Sequence, residues 1–323
     1  MAAVSFAGIV AQGQLASGTR LSQDAQEFLQ NVFIFGQDGS PTTPEGWEAL
    51  RQAFREGTIQ ESDSAKQKYI ESVQKIEMEG VPVLVAIPKR AIPARSDTVL
   101  CYLHGGAFSM GSPEHLFQVF SQVADETGLK TIAVDYRLAP EHRFPAGLND
   151  CYAVYKALIQ EGKQVIFIGD SAGGNLALEV ALRAKKEKIK EPLAIVGFSP
   201  FVNTVKEEAG ASWEKNQDPH IRWCTVESCV AGYAGDQNAA HPDISVLQAD
   251  LSHLPPTLVL TGTRDALEDD CKAFAAKAAS QGSQVELISF EGIWHAIVER
   301  GEDKIPEAGM VRRTASEFIN HLF

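Results

Sequence analysis

One serine in this chain sits where nucleophilic chemistry could be done. Val165-Ile-Phe-Ile runs into Gly169-Asp170-Ser171-Ala172-Gly173-Gly174, and a helical pattern follows. The apolar run reads as a buried strand, so the glycines mark an abrupt strand-to-helix reversal with Ser171 at its tip. A side chain at Gly169 or Gly173 would clash across so tight a turn. The hydroxyl is presented at a helix N-terminus, whose dipole favours negative charge developing beside it. A lone Gly-x-Ser-x-Gly occurs by chance in many chains. The strand before it and the helix after it make this one a candidate nucleophile.

Attack on a carbonyl produces an oxyanion, which needs fixed N–H donors. Val99-Leu-Cys-Tyr-Leu103 is a second strand that runs into glycines, at His104-Gly105-Gly106-Ala107-Phe108. Two glycines let the backbone approach a ligand closely. Gly105 and Gly106 are the expected donors, with Ala172, just after the nucleophile, as a third. By itself the Gly-Gly pair would be an ordinary turn. Its place ahead of the Ser171 turn argues for the oxyanion role.

A serine hydroxyl also needs a base, and the base an orienting acid. Of the eight histidines, His104 sits in the glycine loop, while His115, His253 and His321 read as structural or solvated. His295, in Phe290-Glu-Gly-Ile-Trp-His295-Ala, follows the last strand pattern, at the edge where α/β loops build sites. Asp265 follows Thr257-Leu-Val-Leu-Thr-Gly-Thr-Arg and lies between serine and base in the order Ser, Asp, His. Asp265-Ala-Leu-Glu268 also fits a helix capping box. Asp269 and Asp270 are rivals, expected in the first helical turn and facing away, so Asp265 ranks above them.

These residues need a scaffold that brings strand ends together. Residues 1–72 are helical and loop-rich, with helical spacing over Leu21–Phe35 and a helix start at Thr43-Pro44-Glu45. From about residue 75, short apolar runs alternate with helical patterns. Strands are expected at Val81–Ile87, Thr98–Leu103, Lys130–Val134, Gln164–Ile168, Leu193–Phe198, Thr257–Leu260 and Gln284–Ser289. Helices are expected at His115–Thr127, Gly147–Gln160, Ala172–Lys185 and Leu267–Ser280. Such alternation builds a parallel sheet covered on both faces. Nearly sixty residues separate Phe198 from Thr257, too many for a structureless loop. With Phe201, Trp213, Trp223, Tyr233 and a helical pattern over Thr225–Ala234, they read as an insertion over one end of the sheet.

Composition removes other classes. The 323 residues are 44% hydrophobic and 22% charged, enough for a sizeable core. With 29 basic against 42 acidic residues, the net charge is −13. That argues against nucleic acid and anionic membranes as partners. Five irregularly spaced cysteines, Cys101, Cys151, Cys224, Cys229 and Cys271, make neither a disulfide framework nor a zinc site. They fit mostly buried thiols in a reducing, cytoplasmic setting, with secretion left open. Met1–Gly18 carries no charge, and the basic residues of a secretory signal come too late. The segment reads as an apolar element packed on its own protein, too short to span a bilayer.

Three ordered motifs, His-Gly-Gly-Ala-Phe, Asp135-Tyr-Arg137-Leu-Ala-Pro-Glu141-His-Arg-Phe-Pro145-Ala and Gly-Asp-Ser-Ala-Gly-Gly, resemble those of the hormone-sensitive-lipase family of α/β-hydrolases. The resemblance covers roughly residues 75–320. It implies an α/β-hydrolase fold with a mostly parallel eight-stranded sheet, helices on both faces and a helical cap. In that layout 1–72 and the inserted 200–245 form the cap, and 73–199 with 246–323 the catalytic domain. It implies a Ser171–His295–Asp265 triad, an oxyanion hole of Gly105, Gly106 and Ala172, and no metal or organic cofactor. Asp135, Tyr136, Arg137 and Glu141 become supports of the site.

The expected partner is a small ester with a short or medium apolar acyl chain, and a homodimer paired along a sheet edge is compatible with it. Phe108, Phe201, Trp213, Trp223 and Trp294 are candidate substrate contacts, with Phe33, Phe35 and Phe198 adding to an aromatic-rich cap; each is about as well explained as cap core. The family's Pro-His-Gly-Phe reads Trp294-His295-Ala296-Ile297 here, and its Asp-Pro-Leu reads Asp265-Ala266-Leu267. Neither departure removes a catalytic group. Amide, lactone or carbamate hydrolysis would use the same triad. A non-catalytic receptor on this fold would be expected to lose a triad member.

Overall fold

Strand β5 (Gln164–Asp170) shows how the core is built. Successive strand side chains point to opposite faces. Val165 and Phe167 accordingly enter one hydrophobic cluster and Ile166 and Ile168 another. The same alternation holds for Val99, Cys101 and Leu103 against Leu100 and Tyr102. The central strands are therefore buried on both faces, which accounts for their unbroken apolar sequence.

The computed structural model describes residues 21–31, 41, 43–216 and 218–323. Helices α1 (Gln23–Asn31) and α2 (Pro44–Tyr69) precede the sheet. Thr43 caps α2, accepting the Gly46 N–H at 3.2 Å, with Pro44 in the first turn. Then come β1 (Ile70–Met78), β2 (Val81–Pro88), β3 (Thr98–Leu103), α3 (Phe117–Thr127), β4 (Lys130–Val134), α4 (Ala146–Gln160), β5, α5 (Ala172–Glu187) and β6 (Ala194–Phe198). After β6 lie a four-residue helix α6 (Ser212–Lys215) and α7 (Trp223–Ala234), followed by β7 (Thr257–Gly262), α8 (Glu268–Ser280), β8 (Val285–Phe290) and α9 (Pro306–Asn320). The eight strands are ordered β1-β2-β4-β3-β5-β6-β7-β8. β2 is antiparallel to both neighbours, and the other pairings are parallel.

Helices α4, α5 and α8 pack on one face, and α3 and α9 on the other. Because β3, β5, β7 and β8 run parallel, the loops after them gather at one edge of the sheet. All seven strands expected from the sequence are present, within a residue or two at their ends. The eighth strand of the implied sheet, β1, lies where the residues read as helical: the helical segment to residue 72 gives way to strand at Ile70. β1 is an edge strand, largely exposed after Ile70, so no apolar run marks it. Phe33, Phe35 and the uncharged Met1–Gly18 lie outside the described residues.

Candidate active site

Four strand ends supply the site. At the end of β5 the chain turns sharply, and Ser171 adopts φ 50° and ψ −118° at the N-terminus of α5. The glycines behave as their spacing suggests. A Cβ at Gly169 would lie 2.6 Å from the Gly173 backbone, and one at Gly173 would lie 2.0 Å from the Leu103 carbonyl oxygen. The positive φ of a serine is a strained state, held here by the elements on either side.

His295 follows β8. Its Nε2 lies 3.0 Å from Ser171 Oγ and its Nδ1 3.2 Å from Asp265 Oδ1. A carboxylate only accepts, so Nδ1 carries the proton and Nε2 is left to accept the serine hydroxyl. Asp265, fully buried just past β7, accepts the Leu267 N–H at 2.8 Å on Oδ1 and the Ser199 hydroxyl on Oδ2. Helix α8 begins only at Glu268, so the Asp265 carboxylate serves its own loop and the imidazole, with no capping box. Burial alone would favour neutral imidazole. The Asp265 carboxylate, with Asp218 and Glu299 nearby, overrides this and holds His295 above the ordinary histidine range.

Asp269 and Asp270 turn away from the imidazole and anchor the insertion. Asp270 accepts from Trp213 Nε1 at 2.9 Å, Asn203 Nδ2 at 3.1 Å and the Gly210 N–H at 2.9 Å. Asp269 accepts the Ser212 N–H at 3.0 Å.

The glycine loop departs from expectation by one residue. The Gly105 N–H donates to Asp170 Oδ1 at 3.1 Å, and a Cβ at Gly105 would lie 2.2 Å from Asp170 Oδ2. Gly105 is therefore a glycine for close packing on Asp170, and its N–H is spent. Gly106 and Ala107, both at positive φ, border the cavity beside Ser171. Neither amide has an acceptor among the described residues. Tyr136 donates to the His104 carbonyl at 2.7 Å and stacks on the His104 ring, which holds the loop from behind. Arg137 pairs with Asp150, and Glu141 with Arg51 of α2, whose Nε reaches the Ser109 carbonyl at 2.9 Å. Tyr136, and Glu141 through Arg51, thus brace the glycine loop, whereas Arg137 ties to Asp150 on α4.

The cavity above Ser171 has an empty volume of about 560 Å³. Phe201 and Trp213 line it, with Phe54 of α2 and Ile221, Val226 and Cys229 of the insertion. Trp47, Met110 and Cys229 form a small apolar cluster that joins α2, the glycine loop and α7. The other aromatic candidates are not among the lining residues. Phe108 stacks on Tyr233 at 4.0 Å, and Trp223 packs edge-on against Trp213 at 4.8 Å, so both stand behind the wall. Trp294 points the opposite way from its neighbour His295, into the core under the sheet, where it stacks on Phe28 at 5.4 Å.

Two groups at the site had no place in the sequence reading. Glu299, four residues after the base, lines the cavity with a buried carboxyl that burial pushes up to about 8. Asp218, fully buried in the insertion, accepts the backbone N–H of His295 itself at 2.9 Å. Asp218-Pro219 signals a turn, but nothing in the sequence links it to partners so far along the chain.

Residues 100–299 match a family model described as the alpha/beta hydrolase fold. An esterase of Acinetobacter venetianus is 31% identical over 233 residues, 71% of this chain and 77% of the relative. An acetyl-hydrolase of Streptomyces hygroscopicus is 31% identical over 234 residues, 69% of this chain and 78% of the relative. Among solved structures, an esterase from the bacterial hormone-sensitive lipase family superposes with a TM-score of 0.80 at 26% identity, covering 94% of this chain and 99% of that one.

Proposed function

The chain belongs to the hormone-sensitive-lipase family of α/β-hydrolases, and from that membership we propose that it is a serine carboxylesterase acting through an acyl-enzyme on Ser171. The observation that carries the residue assignment is the hydrogen-bond chain from Ser171 through His295 to the buried Asp265. His295 takes the hydroxyl proton as Ser171 attacks the ester carbonyl. The alcohol leaves with that proton, and water, activated by the same imidazole, releases the acid. Asp265 fixes the imidazole tautomer and balances its charged form. Gly106, Ala107 and Ala172 are the proposed oxyanion donors, Ala107 in place of Gly105.

The substrate is a small, neutral ester with a short or medium acyl chain. The cavity supports this, being walled mainly by apolar side chains. The cap is assembled from the N-terminal helices and the 200–245 insertion, with the catalytic domain on either side of that insertion. A homodimer paired along a sheet edge and a cytoplasmic location belong to the same reading. No described helix is long and apolar enough to cross a membrane.

The test is a panel of p-nitrophenyl esters from acetate to palmitate, with matched amides and lactones, beside labelling by a fluorophosphonate probe. The expected result is fastest turnover of butyrate or hexanoate and a single labelled site at Ser171. Intact protein that neither labels nor turns over any ester would mark a receptor on this fold. Faster amide or lactone turnover would move the bond class while keeping the triad.

The pH dependence follows from His295. The imidazole is a base only when neutral, and its neighbours raise its pKa. kcat/KM therefore increases with pH, with an acid limb centred above the ordinary histidine value of about 6.5. A limb centred below that value would contradict the negative surroundings of the base.

A further inference from the structure

We propose that Asp218 is a positioning residue for this reaction: a carboxylate delivered by the insertion that fixes the backbone from which both the acid and the base project. The proposal rests on the Ser171–His295–Asp265 reading.

Asp218 lies between α6 and α7, and its carboxylate meets four backbone N–H groups. Oδ1 accepts from His220 at 2.7 Å and Ile221 at 3.1 Å, which closes its own turn. Oδ2 accepts from Ala266 at 3.0 Å and His295 at 2.9 Å. Ala266 directly follows the acid, and His295 is the base. One oxygen atom therefore ties together the loop after β7 and the loop after β8. A fully buried carboxylate is costly unless its lone pairs are used, and charge-assisted N–H bonds are the strong way to use them. A neutral side chain could close the local turn. Only a carboxylate offers two accepting oxygens to four donors.

The same stretch grips the acid loop twice more. Asn216 Nδ2 donates to the Asp265 carbonyl at 2.9 Å, and Ser212 Oγ to the Ala266 carbonyl at 2.6 Å. Trp213 and Ile221, from this stretch, line the cavity. The wall that receives the substrate and the strut that holds the acid and base in register are thus one piece of chain.

Asp218 is also a second negative charge beside the imidazole. The titratable groups around His295 are Asp265 on the β7 loop, Asp218 and His220 on the insertion, Glu299 on its own turn and Asp170 at the end of β5. Among them Asp218 favours the imidazolium that forms in the transition state. Burial and then the Asp265 charge push Asp218 itself upward, against the pull of His295 and of the N–H bonds from His220 and His295.

The experiment is Asp218→Asn in the full-length enzyme, assayed with p-nitrophenyl butyrate across pH beside Ser171→Ala. An asparagine turns one acceptor into a donor facing N–H groups, so the two loops drift. kcat is expected to drop about 10²-fold, the scale set by small misplacements of reacting groups, with KM little changed. Loss of the charge lowers the imidazole pKa, so the acid limb moves to lower pH. A folded variant with wild-type kcat, or with reduced kcat and an unmoved limb, overturns the proposal. If Asp218→Asn does not fold, Asp218→Glu keeps the charge and displaces the loops. It is expected to lose kcat with the limb unmoved, and wild-type kcat there overturns the proposal. A dead Ser171→Ala beside a wild-type-like Asp218→Asn rejects only this inference, whereas an active Ser171→Ala rejects the triad reading beneath it.

Discussion

Replacing Ser171 by alanine lowers kcat for p-nitrophenyl butyrate on the order of 10⁴- to 10⁶-fold, while the fold and the thermal midpoint stay close to wild type. The loss is large because, in the proposed mechanism, the hydroxyl is the atom that forms the acyl bond. Ser199 is also buried near this edge, but its hydroxyl donates to Asp265. The structural cost is small because, among the described residues, the only side-chain hydrogen bond of Ser171 is to His295. Alanine inherits the same positive φ at the tip of the turn, and the glycines that permit the reversal are untouched. Residual rate over water should persist, since the proposed oxyanion donors Gly106, Ala107 and Ala172 and the cavity are left in place. The check is a progress curve at saturating substrate, with circular dichroism of both proteins. A variant within tenfold of wild type would place the nucleophile elsewhere.

What the sequence told about this site divides along a physical line. Signals carried by neighbouring residues were legible. The glycines around Ser171 are needed by a turn only a few residues long, and the apolar runs are strands buried on both faces, so both leave marks in consecutive letters. Features decided by partners far along the chain were not. Which N–H of the glycine loop stays available depends on Asp170, 65 residues away, whose Oδ1 takes the Gly105 amide. Trp294 is beside the base in sequence, but it follows the chain under the sheet to Phe28. Asp218 meets Ala266 and His295 across 48 and 77 residues, and a turn-forming Asp-Pro gives no hint of either. β1 leaves no mark for a different reason: its outer face is polar and exposed, so its sequence, Ile70-Glu-Ser-Val-Gln-Lys-Ile-Glu-Met, has no continuous apolar character.

The acid gives the second large effect, and its size depends on how the loop is wired. Asp265→Ala removes both the tautomer restraint and the counter-charge, and should cost about 10⁴-fold in kcat. Asp265→Asn is expected to cost less, between about 10² and 10⁴-fold. The Leu267 N–H at 2.8 Å holds an accepting oxygen at the Oδ1 position, which is also the atom facing His295 Nδ1. The amide therefore places its carbonyl there and turns its NH2 toward Ser199. That hydroxyl can rotate toward the Leu260 carbonyl, 3.5 Å away, and accept. The imidazole keeps its tautomer and loses the charge, so the acid limb of kcat/KM moves to lower pH in the surviving activity. Asp269→Asn should leave kcat nearly unchanged, because Asp269 spends its carboxylate on the Ser212 N–H and on Lys272 at the surface. Steady-state kinetics on the three variants decide the matter by rank. An order of Ala, then Asn, then Asp269→Asn from most to least damaging fits the wiring. A larger loss from Asp269→Asn than from Asp265→Asn would move the acid to Asp269 and leave the bond between Asp265 and His295 without a catalytic role.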